Sequence, residues 1–182
     1  MSKLTLYSEQ QPTNPINIVT TTNEIAEILQ QVGVLFEKWH AEIPIQAGDD
    51  QAQILQAYAG SIQALQKIGG YTTSDVVSLY PGHPDKDAFR AKFLSEHTHA
   101  EDEVRFFVKG KGLFCLSIQG QIYAVLCEQG DLISVPKGIT HWFDMGSEPE
   151  FTCIRLFIDP AGWVAEFTGR DIAAQVPNMD QA

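Results

Sequence analysis

His97, His99 and Glu103 stand in an H-x-H-x3-E pattern, and His141 follows Glu103 by 38 residues. Side chains alternate between the two faces of a strand, so His97 and His99 point the same way. Glu103 returns to them after a short connection, and His141 arrives after the turn Pro136-Lys137-Gly138. Three imidazoles and one carboxylate suit a borderline divalent ion such as iron(II), nickel(II) or manganese(II). Four protein donors on an octahedral ion leave two positions open for a chelating substrate, with the ion as Lewis acid and template. Zinc in its tetrahedral structural geometry would be closed by four ligands. The competing explanation is a buried hydrogen-bond network, but matching donor types in both halves of the pattern weigh against it. His40 and His83 lack such company and read as surface or hydrogen-bonded residues.

Arg105 lies two positions after Glu103 and so shares its face of the strand. A fixed cation there can bind and position an anionic oxygen. The plainer alternative is a structural ion pair with Glu101 or Asp102. Phe93 and Phe143 share parity with His97 and His141 and are candidate substrate walls, although core packing explains aromatic rings as well. Glu101 is a candidate acceptor for the second ring nitrogen of a ligating imidazole.

These residues need a scaffold, and the chain of 182 residues, 44% of them hydrophobic, is long enough for one well-formed core. A net charge of −11 argues against nucleic acid and anionic membranes as partners. An anionic substrate must therefore be attracted locally. The first residues lack the apolar stretch of a signal peptide, and a cytoplasmic monomer is expected. Cys115, Cys127 and Cys153 are odd in number, lie in apolar runs and read as buried free thiols.

The N-terminal region, 1–74, is expected to hold a strand at Lys3 to Tyr7, a break at Pro12 to Pro15, and two helices. Thr21 and Glu24 have capping-box spacing ahead of Ile25, Ile28, Leu29, Val32 and Leu35. Ile54, Tyr58, Ile62 and Leu65 mark the second helix, ended by Gly69-Gly70. Both stripes read as core-facing. Residues 75–158 follow as short strands: Val76 to Tyr80, then, past a helical piece near Asp87 to Lys92, Glu103 to Val108, a turn at Gly110, and Gly112 to Ile118. Gln121 to Cys127, Asp131 to Val135, Thr140 to Asp144 and Phe151 to Ile158 complete the run. This density predicts an antiparallel double-sheet barrel. The tail, 159–182, is expected to cross the barrel and fray, within a single domain spanning 1–182.

The two halves of the histidine pattern resemble the paired motifs of the cupin superfamily, α+β proteins whose double-stranded β-barrel (jelly roll) holds a metal. Ala91 and Met145 depart from the broader cupin pattern without touching its ligands. The stretch from Glu96 to Val108 closely resembles the acireductone dioxygenases, as do Asp131 to Pro136, His141 to Gly146 and Gly162 to Gly169. The resemblance supports Arg105 as a substrate-orienting residue and adds Trp163, in the family-like tail, as a third wall candidate. It implies one iron(II) or nickel(II) per chain and a role in methionine salvage, with acireductone and dioxygen as substrates. Iron would give formate and the keto-acid precursor of methionine; nickel would give formate, carbon monoxide and methylthiopropionate. Two other functions fit the ligands less well. A cupin sugar-phosphate isomerase should carry a lysine cluster for phosphate, and none is evident; a non-catalytic binding module has no attached DNA-binding domain or basic patch to support it.

Overall fold

The computed structural model describes residues 1–46, 49–159 and 164–182. Strands β1 (Lys3–Ser8) and β2 (Gln11–Val19) form a hairpin, followed by helix α1 (Thr22–Gln31) and strand β3 (Leu35–Lys38). Helices α2 (Gln51–Ala57) and α3 (Ala59–Gly69) precede β4 (Thr73–Leu79) and α4 (Lys86–Leu94). Then come β5 (His97–Thr98), β6 (Glu103–Ile118), β7 (Gln121–Glu128), β8 (Asp131–Val135), β9 (Thr140–Asp144), β10 (Phe151–Phe157) and β11 (Glu166–Phe167). Among the described residues, no helix is long and apolar enough to cross a membrane.

All the pairings are antiparallel and build two sheets, β2-β1-β7-β6-β9-β5-β11 and β3-β8-β6-β10-β4, packed as the expected α+β double-sheet barrel. The long strand β6 belongs to both. Its first half pairs with β8 and β10, and its second half with β7 and β9. The predicted turn at Gly110 is instead a corner inside one strand. Gly110 takes φ +70, and the register with β10 shifts between Thr152 and Cys153. One extra residue reverses the face that the alternation presents. Phe107 therefore points into the interior before the corner, and Phe114 and Leu116 point into it afterwards.

On the outer face of the first half, Val104, Phe106 and Val108 receive Ile54, Tyr58, Ile62 and Leu65. The expected core-facing stripe is thus present, although Tyr58 divides the single predicted helix into α2 and α3. Each such side chain, when fully buried, contributes about 1.5–3 kcal/mol. Helix α1 stops at Gln31, and Gly33, at φ +82, turns the chain so that Leu35 starts a strand rather than extending the helix. The capping box at its start does not close: Thr21 makes no side-chain bond to the backbone and donates to Glu24 instead. The prolines read as a break lie within β2, which is mostly exposed and, among the described residues, pairs only with β1, a sheet edge where missing N–H groups are tolerated. The tail docks rather than frays: β11 pairs with β5, and Ile172 and Val176 pack on Trp142 and Leu113.

A Cβ on Gly110 would lie 1.8 Å from the carbonyl oxygen of Glu150. Gly110→Ala is therefore expected to lower stability by about 2 kcal/mol or more, from the left-handed backbone and the clash together. The urea midpoint checks this; an unchanged midpoint would show that the corner does not depend on glycine.

Candidate metal centre

The chain between α4 and β6 is short: His97 opens β5, His99 follows directly after it, Glu103 opens β6, and His141 is the second residue of β9. His97 is the direct cross-strand partner of His141. The turn before β9 is tied to the same region, since Gly138 N donates to the carbonyl of His99 at 3.0 Å. Glu103 opens β6, with its side chain on the interior face. One ligand atom from each of His97, His99, Glu103 and His141 lies within 4.8 Å of all the others, and all four residues are buried.

Each imidazole is oriented through its other nitrogen. Nδ1 of His97 bonds the carbonyl of Ser95 at 2.6 Å, and that of His141 bonds Ile139 at 2.7 Å. His99 Nδ1 lies 3.3 Å from the carbonyl of Val164. A carbonyl only accepts, so Nδ1 carries the proton in each ring and Nε2 carries a lone pair. His141 Nε2 then sits 2.6 Å from Glu103 Oε2, and both atoms are buried without a hydrogen bond. Two lone-pair donors in contact within a low-dielectric interior call for a shared cation. The donor set therefore fits a divalent ion.

Electrostatics keep the donors in their ligating forms. Burial and the neighbouring His141 push His97 down to about 4, and burial lowers His99 as well. Burial alone would raise the Glu103 carboxyl, but the Arg105 guanidinium holds it well below the usual carboxylate range. The three thiols are all buried, and burial pushes Cys153 up to about 12. They are protonated thiols, inert as competing ligands.

Arg105 shares the interior face with Glu103, and its Nε donates to Glu103 Oε1 at 2.6 Å. The ion-pair partner is thus Glu103 rather than Glu101 or Asp102. The guanidinium carbon lies 4.5 Å from the ring centre of Phe143, 5.3 Å from Phe114 and 5.5 Å from Phe93. Three aromatic faces replace much of the hydration that the buried cation gives up. Its Nη1 is buried with no hydrogen-bond partner.

Phe93 reaches this place from helix α4, so strand parity with His97 does not apply to it, whereas Phe143 does share the inward face of β9 with His141. Phe93 lines a cavity of about 60 Å³ with His97, His99 and Arg105. Phe143 lies beneath, packed on Phe93, Phe107 and Phe151. Trp163 falls outside the described residues. Glu101 does not orient an imidazole: its Oε2 accepts from the backbone N–H groups of Ile158 and Asp159, both at 3.1 Å. Backbone carbonyls take the place it was assigned. Sequence reasoning also missed Arg155, which lines the same cavity. The alternation Cys153, Arg155, Phe157 along β10 carried that signal.

Because His97 is held near 4 when folded and titrates near 6.5 when unfolded, the unfolded chain binds more protons between those values. Stability of the metal-free protein is expected to be unaffected by this residue above pH 6.5 and to fall as pH drops from 6.5 toward 4. Thermal unfolding after chelator treatment measures it, and His97→Gln should flatten the decline. An equal decline in both proteins would detach the pH dependence from His97.

The sequence profile described as the ARD/ARD′ family matches residues 3–165. An acireductone dioxygenase of Pseudomonas paraeruginosa is 55% identical over 180 residues, covering 99% of each chain. That of Stutzerimonas stutzeri is 53% identical over the same length, again covering 99% of each. A solved structure, the acireductone dioxygenase from Bacillus anthracis with a cadmium ion in its active centre, superposes with a TM-score of 0.81 at 31% identity. The match covers 92% of this chain and 98% of that one. Similarity of this extent, over a shared fold, establishes that the chain belongs to the acireductone dioxygenase family.

Proposed function

We propose that the chain cleaves acireductone, 1,2-dihydroxy-3-keto-5-methylthiopentene, with dioxygen in methionine salvage. It does so with one iron(II) or nickel(II) held by His97, His99, Glu103 and His141. The observation that carries this reading is the buried contact between His141 Nε2 and Glu103 Oε2, two unpartnered donors 2.6 Å apart, in a chain of this family. A divalent ion held there supplies Lewis acidity and open positions for a chelating substrate.

The protein's own residues supply the rest. Three neutral imidazoles and one carboxylate leave a divalent centre positive, which favours an ene-diolate over its neutral form. Arg105 keeps Glu103 ionised through Nε and retains Nη1 as the donor for a substrate oxygen. Phe93 forms an apolar wall for the methylthio end, and Phe143 supports Arg105 from below. The resulting water-poor surroundings strengthen the guanidinium's hold on the anion. Substrate and dioxygen together contain the atoms of either product set: formate and 4-methylthio-2-oxobutanoate with iron, or formate, carbon monoxide and 3-methylthiopropionate with nickel.

Arg105→Met should retain the metal while losing roughly 2–4 kcal/mol of transition-state stabilisation in kcat/KM. Alanine at any of the four ligand positions should instead lower metal content and turnover together. Elemental analysis alongside kinetics separates the two outcomes, and unchanged kinetics for Arg105→Met at full metal load would return that residue to a structural role.

Reconstituting metal-free protein separately with iron(II), under anaerobic conditions, and with nickel(II) tests the product assignment. Carbon monoxide is expected in the headspace with nickel and essentially none with iron. Identical products from both forms would refute metal-controlled cleavage in this chain.

A further inference from the structure

The small cavity beside the imidazoles shares Lys92, Arg155 and Ala165 with a groove of about 440 Å³. Two exposed apolar residues, Val164 and Phe167, line this groove. Lys92 is exposed on α4, and Arg155 is half-buried on β10. The groove thus combines cations with exposed apolar surface and leads to the ligand cluster.

Arg155 lies directly opposite Arg105 on the neighbouring strand, and Asp75 of β4 lies directly opposite Arg155 on its other side. Like charges placed opposite each other on a sheet are unfavourable. Each arginine is held by its own carboxylate: Arg105 by Glu103 at 2.6 Å, and Arg155 by Asp75 at 2.7 Å through Nε. A row of charge therefore crosses three strands from the groove to Glu103. With a net charge of −11, the protein as a whole repels an anion. Two cations, Lys92 and Arg155, against one carboxylate, Asp75, leave the groove net positive where the path to the centre begins.

We propose that this groove is the approach path to the centre, and that Lys92 and Arg155 are positioning cations that draw in a small anion with an apolar tail. The proposal deepens the acireductone reading and rests on it for the substrate's identity. The cations act on encounter, and the apolar rim receives the tail while the charged end moves toward Arg105.

Lys92→Gln and Arg155→Gln in the metal-loaded full chain test this. Both should keep their metal and lose roughly tenfold in kcat/KM at low ionic strength. The loss should fall on kcat/KM rather than kcat, and salt should depress kcat/KM less than in the unsubstituted protein. Arg155→Lys, which keeps the charge, should recover most of the loss. Lys92 is exposed, so its replacement tests the path even if Arg155→Gln folds poorly. Unchanged kcat/KM and salt dependence in Lys92→Gln would overturn the proposal, as would a loss confined to kcat. A parallel titration of nickel-loaded protein with 4-methylthio-2-oxobutanoate, an anion with the same tail, keeps the two readings apart. No dioxygen uptake with acireductone by the unsubstituted protein would sink the functional reading. Weaker keto-acid binding by the variants would still support the groove, and equal binding would overturn it.

Discussion

One carboxylate carries the organisation of this protein. Glu103 is buried, ionised, and divided between two demands: Oε1 accepts from Arg105, and Oε2 faces the imidazoles. An isolated buried carboxylate would be driven to take up a proton. Here a guanidinium neutralises one side, leaving the other as a donor for a cation. Arg105 in turn is buried only because Glu103 and three aromatic rings surround it. Neither residue is tenable alone, since removing one partner leaves an uncompensated charge in the interior.

This pair sets requirements on the fold. Glu103 and Arg105 must both face inward, while Val104 and Phe106, which alternate with them, must face outward beneath α2 and α3. The same strand then has to cover the opposite sheet, where Phe114 and Leu116 close the interior behind His141. A straight strand could not supply both without a change of parity. The bulge opposite Thr152 and Cys153 and the left-handed Gly110 make the change, so one 16-residue strand serves both walls. Gly112 adds clearance: a Cβ there would lie 2.3 Å from the Phe143 ring, the same ring that supports Arg105.

The parts of this arrangement that were readable in the sequence follow from short-range periodicity. The two-residue alternation placed His97 with His99 and Glu103 with Arg105, and the apolar stripe from Ile54 to Leu65 located the face covered by α2 and α3. Where alternation was interrupted, the reading failed. Gly110 looked like the end of a strand because a positive-φ glycine serves turns and bulges equally well. Pro12 and Pro15 hid β2 because edge strands need few N–H donors, and Leu35 continued a helical stripe past the helix's end. The partners of the imidazole nitrogens were beyond reach for a different reason. They are backbone carbonyls, which every residue possesses, so no side-chain type announces them, and a carboxylate such as Glu101 drew the assignment instead.

Those carbonyls also impose an order on the centre. Ser95 and Ile139 each lie two residues before the histidine they hold, so His97 and His141 find their partners just ahead of their own strands as the chain emerges during synthesis. Val164 lies 65 residues after His99. The third imidazole therefore waits until the segment pairing with β5 has been made and has come back across the barrel. Two of the three rings are set locally and early, and the last waits for a segment synthesised 65 residues later.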